Sequence, residues 1–420
     1  MKPVKLACAA AVLIAGTVAA QAQQEVKIGA IYPLSGPVAQ VGIDAVAALK
    51  TVEEIINEGA DLPLTLAKSK GLSGLGGAKI KLFIADHQGK PEVGLSETER
   101  MITQDKVHAM IGAYFSSVTA AASQVTERAG IPFVNAASTS PALTERGFKY
   151  FFRTTPTDLD FSKLMFDFMK DLEGKKNVKI GSVSLFHEDT AYGSDSGKAQ
   201  AAFAKERGVQ IKEDITYKAQ TTSLTSEVQR LKAAGADVLL PSSYTSDTFL
   251  LLRTSKELDF NPKLIIAQNA GFTDPTFITT MGKDAEGSIT RSPYNGDLSK
   301  TIPLITKVNE IFKKHSKGRD LSDVPARVFT GMMTLVDAIN RAGSTDPEKI
   351  REALAKTDIP ADQLIVPYRS VKFDAKGQNV GVRPILMQVQ KGSYCTVYPF
   401  ELAACEVQYP MPTWAEKAKM

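Results

Sequence analysis

The chain has 420 residues, 43% of them hydrophobic and 23% charged, with 30 Gly and 21 Pro. That content is too apolar and too evenly charged for a disordered chain, and the length exceeds one ordinary core, so two or three domains are expected. Lys and Arg number 50 against 46 Asp and Glu, a net +4 with no long basic block, so nucleic acid is not an expected partner.

Residues 1–22 read MKPVKLACAAAVLIAGTVAAQA. Lys2 and Lys5 precede a short Ala-rich apolar run, and Ala20-Gln21-Ala22 offers a small-x-small cleavage site. The segment reads as a secretory signal peptide, too short to span a bilayer. Cys8 precedes the apolar run, which argues against lipidation. The remaining chain contains no second apolar span, and export to the periplasm is expected. Removing the leader takes two lysines and no acid, lowering the net charge from +4 to +2, and leaves only Cys395 and Cys405. Ten positions apart in an oxidising compartment, they are expected to form a local structural disulfide. No His stands near them, so no metal site is expected there.

Strands and helices then alternate. Residues 26–32 (VKIGAIY) read as a buried strand and 38–57 as a helix, with Val41, Ala45, Ala48, Leu49, Val52, Ile55 and Ile56 at helical spacing. Strands follow at 79–85, 107–112 and 131–134, separated by helices at 91–104 and 117–128. A second series has strands at 178–185, 210–215, 237–240 and 262–266, with helices at 192–207, 223–234 and 245–258. Helices at 302–314, 327–342 and 347–355 and strands at 370–373 and 384–389 complete the chain. The order implies parallel sheets covered on both faces. Residues 61–77 (DLPLTLAKSKGLSGLGG) lack the GK[ST] ending of a phosphate loop and read as a flexible surface loop.

In open parallel sheets, ligands bind beyond the carboxyl ends of the strands. The segments there share small hydroxyls and aromatic rings: Tyr114-Phe115-Ser116-Ser117, Asn135 to Ser140, His187 to Tyr192, Ser242-Ser243-Tyr244 and Gln268 to Phe272. Ser116 and Ser117 open a helix, where unpaired N–H groups and the dipole favour an anion such as a carboxylate. Tyr114, Phe115, Tyr192, Tyr244 and Phe272 can wall an apolar slot. No HExxH, GxSxG or cysteine nucleophile is present, and His187-Glu188-Asp189 reads as a solvated loop. Neither an enzyme nor a cofactor is expected.

The loops carry a resemblance. IGAIYPLSGPVAQVG from Ile28, IGAYFSSVTAAA from Ile111, IPFVNAASTSPALTERG from Ile131, HEDTAYG from His187, AGADVLLPSSYTSD from Ala234 and GKDAEG from Gly282 resemble landmarks of the periplasmic solute-binding proteins of ABC transporters, leucine/isoleucine/valine-binding class. The resemblance implies an α/β fold of two doubly wound parallel-sheet lobes joined by three crossovers, the type I periplasmic binding architecture. Lobe 1 would comprise 23–154 and 291–366, lobe 2 155–290 and 367–400, with a C-terminal tail at 401–420. Crossovers are expected near 153–157, 290–294 and 365–371.

By the same resemblance, Ser116 matches the serine that holds the ligand carboxylate, and Ala137 and Thr139 the pair at its polar head. Tyr192 matches a pocket tyrosine of the second lobe, and Tyr244 and Val41 match side-chain positions. Ser117, Asn269 and Gly271 complete the expected set. The expected ligand is an amino acid, branched-chain or related, delivered to a membrane permease by a monomeric protein; an aromatic acid, amide or urea-like solute, a sensor role or, further off, an amide hydrolase are the alternatives. Two departures stand out. The acidic residue that meets the α-ammonium is replaced by Ala270, so either Asp247, Glu188 or another acid supplies the charge or the ligand lacks an α-amino group, and the early disulfide is absent, with Gln88 and Phe115 near its positions.

Overall fold

The computed structural model describes residues 25–420; the expected leader and Cys8 lie outside the described residues. The first series forms β1 (Glu25–Tyr32), α1 (Ala39–Glu58), β2 (Lys79–Asp86), α2 (Pro91–Arg100), β3 (Ala109–Gly112), α3 (Ser116–Ala129), β4 (Phe133–Asn135) and β5 (Phe151–Arg153). Its five strands are all parallel, in the order β2-β1-β3-β4-β5. The apolar stripe of α1 is buried from Val41 to Ile56, as helical spacing requires of a helix laid on a sheet. Gly130 ends α3 at φ +67, a left-handed residue that glycine adopts without strain.

The second series comprises α4 (Asp158–Lys176), β6 (Ser182–Glu188), α5 (Ala191–Arg207), β7 (Gln210–Tyr217), α6 (Thr225–Ala234), β8 (Val238–Ser242), α7 (Thr245–Glu257), β9 (Leu264–Ala267), α8 (Phe277–Met281) and β10 (Ile289–Ser292). Helix α4 is an addition to the sequence expectation; Phe161, Met165, Phe168 and Leu172 form its buried face, and Thr157 and Asp160 cap its start reciprocally. The chain returns through α9 (Leu304–His315), α10 (Asp323–Ala342), α11 (Pro347–Ala355) and the short pair β11 (Asp358–Pro360) and β12 (Ser370–Lys372). It ends in β13 (Ile385–Gln390), β14 (Ser393–Tyr398) and α12 (Trp414–Lys419). The second sheet runs β14-β13-β10-β9-β8-β6-β7. Its β13 and β14 are antiparallel, so the parallel sheet carries an antiparallel edge.

Helices α1, α9, α10 and α11 pack with β1 and β3 in one apolar core, and α4, α6, α7 and α8 with β6, β8 and β9 in another. The polypeptide passes between the two sheets three times: after β5, after β10, and between β12 and β13. The last passage lies C-terminal to residues 365–371, because Val371 and Phe373 still pack in the first core. The first and third passages run side by side. Buried Arg153 donates from Nε to Gln378 Oε1 (2.6 Å), while Asn379 Nδ2 donates to the Thr154 carbonyl (3.1 Å) and Gln378 Nε2 to that of Thr155 (3.1 Å).

Two expectations are corrected. Residues 61–77 are not a loose surface loop: Leu62, Leu64, Ala67 and Leu72 are buried in the first core, and the Gly74 N–H donates to Asn340 Oδ1 (2.8 Å). Apolar residues, three of them ahead of the segment's first glycine, are what anchor it. Nor is 401–420 a free tail. Val407, Met411 and Trp414 pack in the second core, and Trp414 Nε1 donates to the Phe260 carbonyl (2.8 Å). Cys395 in β14 and Cys405 are disulfide-bonded, which ties the start of this segment to the sheet edge.

Truncating a buried Leu loses transfer energy and leaves a cavity. Leu64→Ala is therefore expected to cost about 2–5 kcal/mol, read as a fall in the urea midpoint at constant m-value. A change below about 0.5 kcal/mol, the range of surface substitutions, would return 61–77 to the surface.

Candidate functional site

The carboxyl ends of both sets of parallel strands face each other across one cleft. From the first lobe come the turns after β3 (Tyr114, Ser116) and β4 (Ala137, Thr139), with Arg327 from α10. From the second come Tyr192 at the start of α5, Tyr244 after β8, Asn269 and Ala270 after β9, and Arg291 of β10. Together they enclose a cavity of about 20 Å³, room for roughly one water molecule. A second cavity of about 100 Å³ shares Tyr244 and is lined by Ser117, Phe115, Val38, Glu188, Thr190 and Asp247, among others.

Rings from the two lobes meet between these cavities. Tyr244 lies 4.5 Å from Phe115, 5.6 Å from Tyr114 and 5.0 Å from Tyr192, centroid to centroid. Polar bonds also cross the cleft: Ser140 Oγ to Asp195 Oδ2 (2.5 Å) and Asn269 Nδ2 to Asp323 Oδ2 (2.8 Å). The lobes are therefore shut on each other. A solute of more than a few atoms enters only when they part and the Phe115–Tyr244 contact opens.

Of the expected site residues, Ser116, Ala137, Thr139, Tyr192, Tyr244 and Asn269 share the small cavity, and Ser117 stands in its neighbour. Val41 and Gly271 line neither. Val41 is packed in the first core on α1. Gly271 serves packing: a Cβ there would sit 2.2 Å from Thr248 Oγ1, so α7 can approach this turn only over a glycine. The turns hold strained backbone. Tyr114 (φ +86), Asn269 (φ +77) and Ala270 (φ +55) are non-glycine residues at positive φ, all on the small cavity.

Two cationic site residues, Arg291 and Arg327, are absent from the sequence expectation. Each sits where pattern reading finds only core: Arg291 in a strand buried throughout, Arg327 in a helix whose first fourteen residues are all buried. A charged residue inside such a run is the signal that marks them. Arg327 Nη1 donates to the Ala137 carbonyl (2.8 Å), and Nη2 pairs with Asp323. The Arg291 guanidinium lies 3.7 Å from Asp158 and 3.6 Å from the Phe161 centroid. Burial pulls it down to about 10, leaving it charged at neutral pH.

Several buried polar atoms here have no protein partner: Ser116 Oγ, Tyr114 Oη, Arg291 Nε and Nη1, and Arg327 Nε. An unpaired buried polar atom costs about 1–3 kcal/mol, more for a charged group. This concentration of vacant donors marks a surface shaped for an acceptor-bearing partner.

The expectation of a solvated loop at 187–189 is corrected for its first two residues. His187 and Glu188 end β6 and are buried; Asp189 alone is exposed. Burial raises the Glu188 carboxyl from 4.5 to about 8, against bonds donated by Thr190 Oγ1 (2.6 Å) and the Tyr244 N–H (3.2 Å). The folded state thus holds a proton that the unfolded state releases near 4.5. This contribution to stability is complete below about pH 4.5 and falls as pH rises to about 8. Glu188→Gln is expected to flatten the decline by up to about 1.4 kcal/mol per pH unit across that window. Urea unfolding at pH 5, 6.5, 8 and 9 checks this; parallel wild-type and variant profiles would contradict it.

The profile of the family described as periplasmic binding protein matches residues 25–393. The chain is 29% identical to Leu/Ile/Val-binding protein homolog 7 of Brucella suis over 414 residues, 96% of this chain and 98% of that protein. Among solved structures, LivJ of Streptococcus pneumoniae in complex with isoleucine superposes with a TM-score of 0.74 at 21% identity, covering 92% of this chain and 100% of that one. A solute-binding protein of Rhodopseudomonas palustris in complex with 3,4-dihydroxybenzoic acid does so with a TM-score of 0.72 at 20% identity, covering 88% and 95%. Two sheets facing across a shared cleft, and a profile that spans nearly all of the described residues, lead to one conclusion: the chain belongs to the periplasmic binding protein family.

Proposed function

We propose that the chain is the substrate-binding component of an ABC uptake system, a monomer that works in the periplasm. It captures a small carboxylate-bearing solute of the amino-acid class between its lobes and delivers it, chemically unchanged, to a membrane permease. The observation that carries this reading is Ser116. Its buried hydroxyl has no protein partner, opens α3 and faces the second lobe across the cleft. A helix start with a vacant hydroxyl suits a carboxylate.

The names of the relatives support the ligand class: a Leu/Ile/Val-binding homolog by sequence and an isoleucine complex by fold. No helix among the described residues is long and apolar enough to cross a membrane.

Closure follows from contact with both lobes. A solute bridging Ser116 and Thr139 on one side and Tyr192 and Tyr244 on the other binds the shut form better than the open one, and only that difference shifts the population. A thermal-shift panel of amino acids, aromatic and aliphatic acids and amides tests the reading, because a ligand of the folded state raises the melting temperature by mass action. At least one member is expected to do so and to be recovered intact; a panel without a shift, or a solute recovered altered, would overturn it. For the solute so identified, Ser116→Ala is expected to weaken binding about tenfold or more by calorimetry, the loss of about 1.5–3 kcal/mol from one bond to a charged group. Unchanged affinity would remove Ser116 from the site.

A further inference from the structure

The cleft is cationic where an amino-acid site needs an anion. Every charged side chain lining the small cavity is an arginine: Arg291 from the second lobe and Arg327 from the first. Arg291 is buried, and both its Nε and Nη1 lack a partner; Arg327 Nε lacks one too. Ser116 Oγ and Tyr114 Oη, on the same wall, are equally vacant.

The carboxylate oxygens of the region are held by other groups, save one: Asp158 Oδ2 is buried without a hydrogen-bond partner, outside the cavity lining. Asp323 is held by Arg327, Asn269 Nδ2 (2.8 Å) and Ser292 Oγ (2.7 Å). Asp158 faces Arg291 and accepts from Gln268 Nε2 (3.0 Å). Glu188 and Asp247 line the neighbouring cavity, beyond the ring of Tyr244. Ala270 lines the small cavity with a methyl group. An ammonium placed there meets a lining with two arginines and no carboxylate, whereas a carboxylate meets residues that carry three unpaired guanidinium N–H groups and two unpaired hydroxyls. Arg291 Nη2 lies 3.7 Å from Asp158 Oδ1, beyond hydrogen-bond reach, so it can join Nη1 or Nε in a planar fork that matches both oxygens of a carboxylate at once.

We propose that Arg291 is the carboxylate clamp of the cleft, and that the site takes small carboxylic acids whether or not they carry an α-ammonium group. The body of the acid would lie against Tyr192, which is buried, and Tyr244, which is partly buried, their rings 5.0 Å apart. This inference rests on the solute-binding reading above and narrows it to the group recognised.

Matched pairs test it on the full exported chain by calorimetry: L-leucine against 4-methylpentanoate, and L-phenylalanine against 3-phenylpropanoate, with 4-methylpentanamide as the neutral control. In the pair that binds, the acid without nitrogen is expected within tenfold of its amino acid or tighter, and the amide at least tenfold weaker than 4-methylpentanoate. Arg291→Lys keeps a cation beside Asp158 but loses the fork, so it is expected to weaken the acid more than tenfold while the ligand-free melting temperature holds within about 3 °C. A merely structural arginine would move the melting temperature and leave the affinity of the folded fraction unchanged.

An amino acid preferred more than tenfold over its partner, an amide bound as well as the acid, or unchanged affinity in Arg291→Lys would each overturn the inference. All three leave solute capture itself standing. Preferred binding of a panel member without a carboxylate would also overturn the clamp alone. Failure of every solute in the pairs and in the wider panel to bind would overturn the clamp and the solute-binding reading together.

Discussion

A parallel sheet gathers the carboxyl ends of its strands on one edge, and this chain turns two such edges toward each other. The side chains that could contact a solute follow from that constraint. Ser116, Thr139 and Arg327 are distant in sequence but share the first edge; Tyr192, Tyr244, Asn269 and Arg291 share the second. Helix starts at Ser116 and Ala191 lie beside the same space. The backbone strain at Tyr114, Asn269 and Ala270 lies on these edges and is held by the packed sheets behind them.

The three passages between the sheets set how the edges move. The first and third are bonded side by side through Arg153, Gln378 and Asn379, and the second leaves β10 next to Asp323. Such a strap restrains sliding better than bending, so the natural motion is opening about the passages. In the shut form the rings of Phe115 and Tyr244 close the space between the two cavities. In the proposed cycle, opening would part those rings and admit a solute, and closing on an anion would pair the vacant donors.

Much of this could be read from the residues alone. Ala109 to Gly112, Phe133 to Asn135, Val238 to Ser242 and Leu264 to Ala267 are short apolar runs with turn-forming or polar residues beyond them; strand ends together with the family resemblance pointed to Ser116, Ala137, Thr139, Tyr192, Tyr244 and Asn269, which line one cavity. What escaped has a common cause. Arg291 and Arg327 are charged residues inside buried elements, and only three-dimensional packing brings them to one cavity. Leu64 and Trp414 lie in segments rich in Gly, Pro and charge, where local pattern favours a loop and long-range burial decides otherwise. Glu188 reads as solvated beside His187 and Asp189, yet it ends a buried strand, and that burial keeps its proton.

The central claim is that two rims shut on one small solute. Small-angle X-ray scattering of the exported chain, with and without a saturating solute, tests it most directly. The account predicts a smaller radius of gyration and a shorter maximum dimension on saturation. Identical scattering curves from the free chain and from a chain shown by calorimetry to be saturated would contradict it.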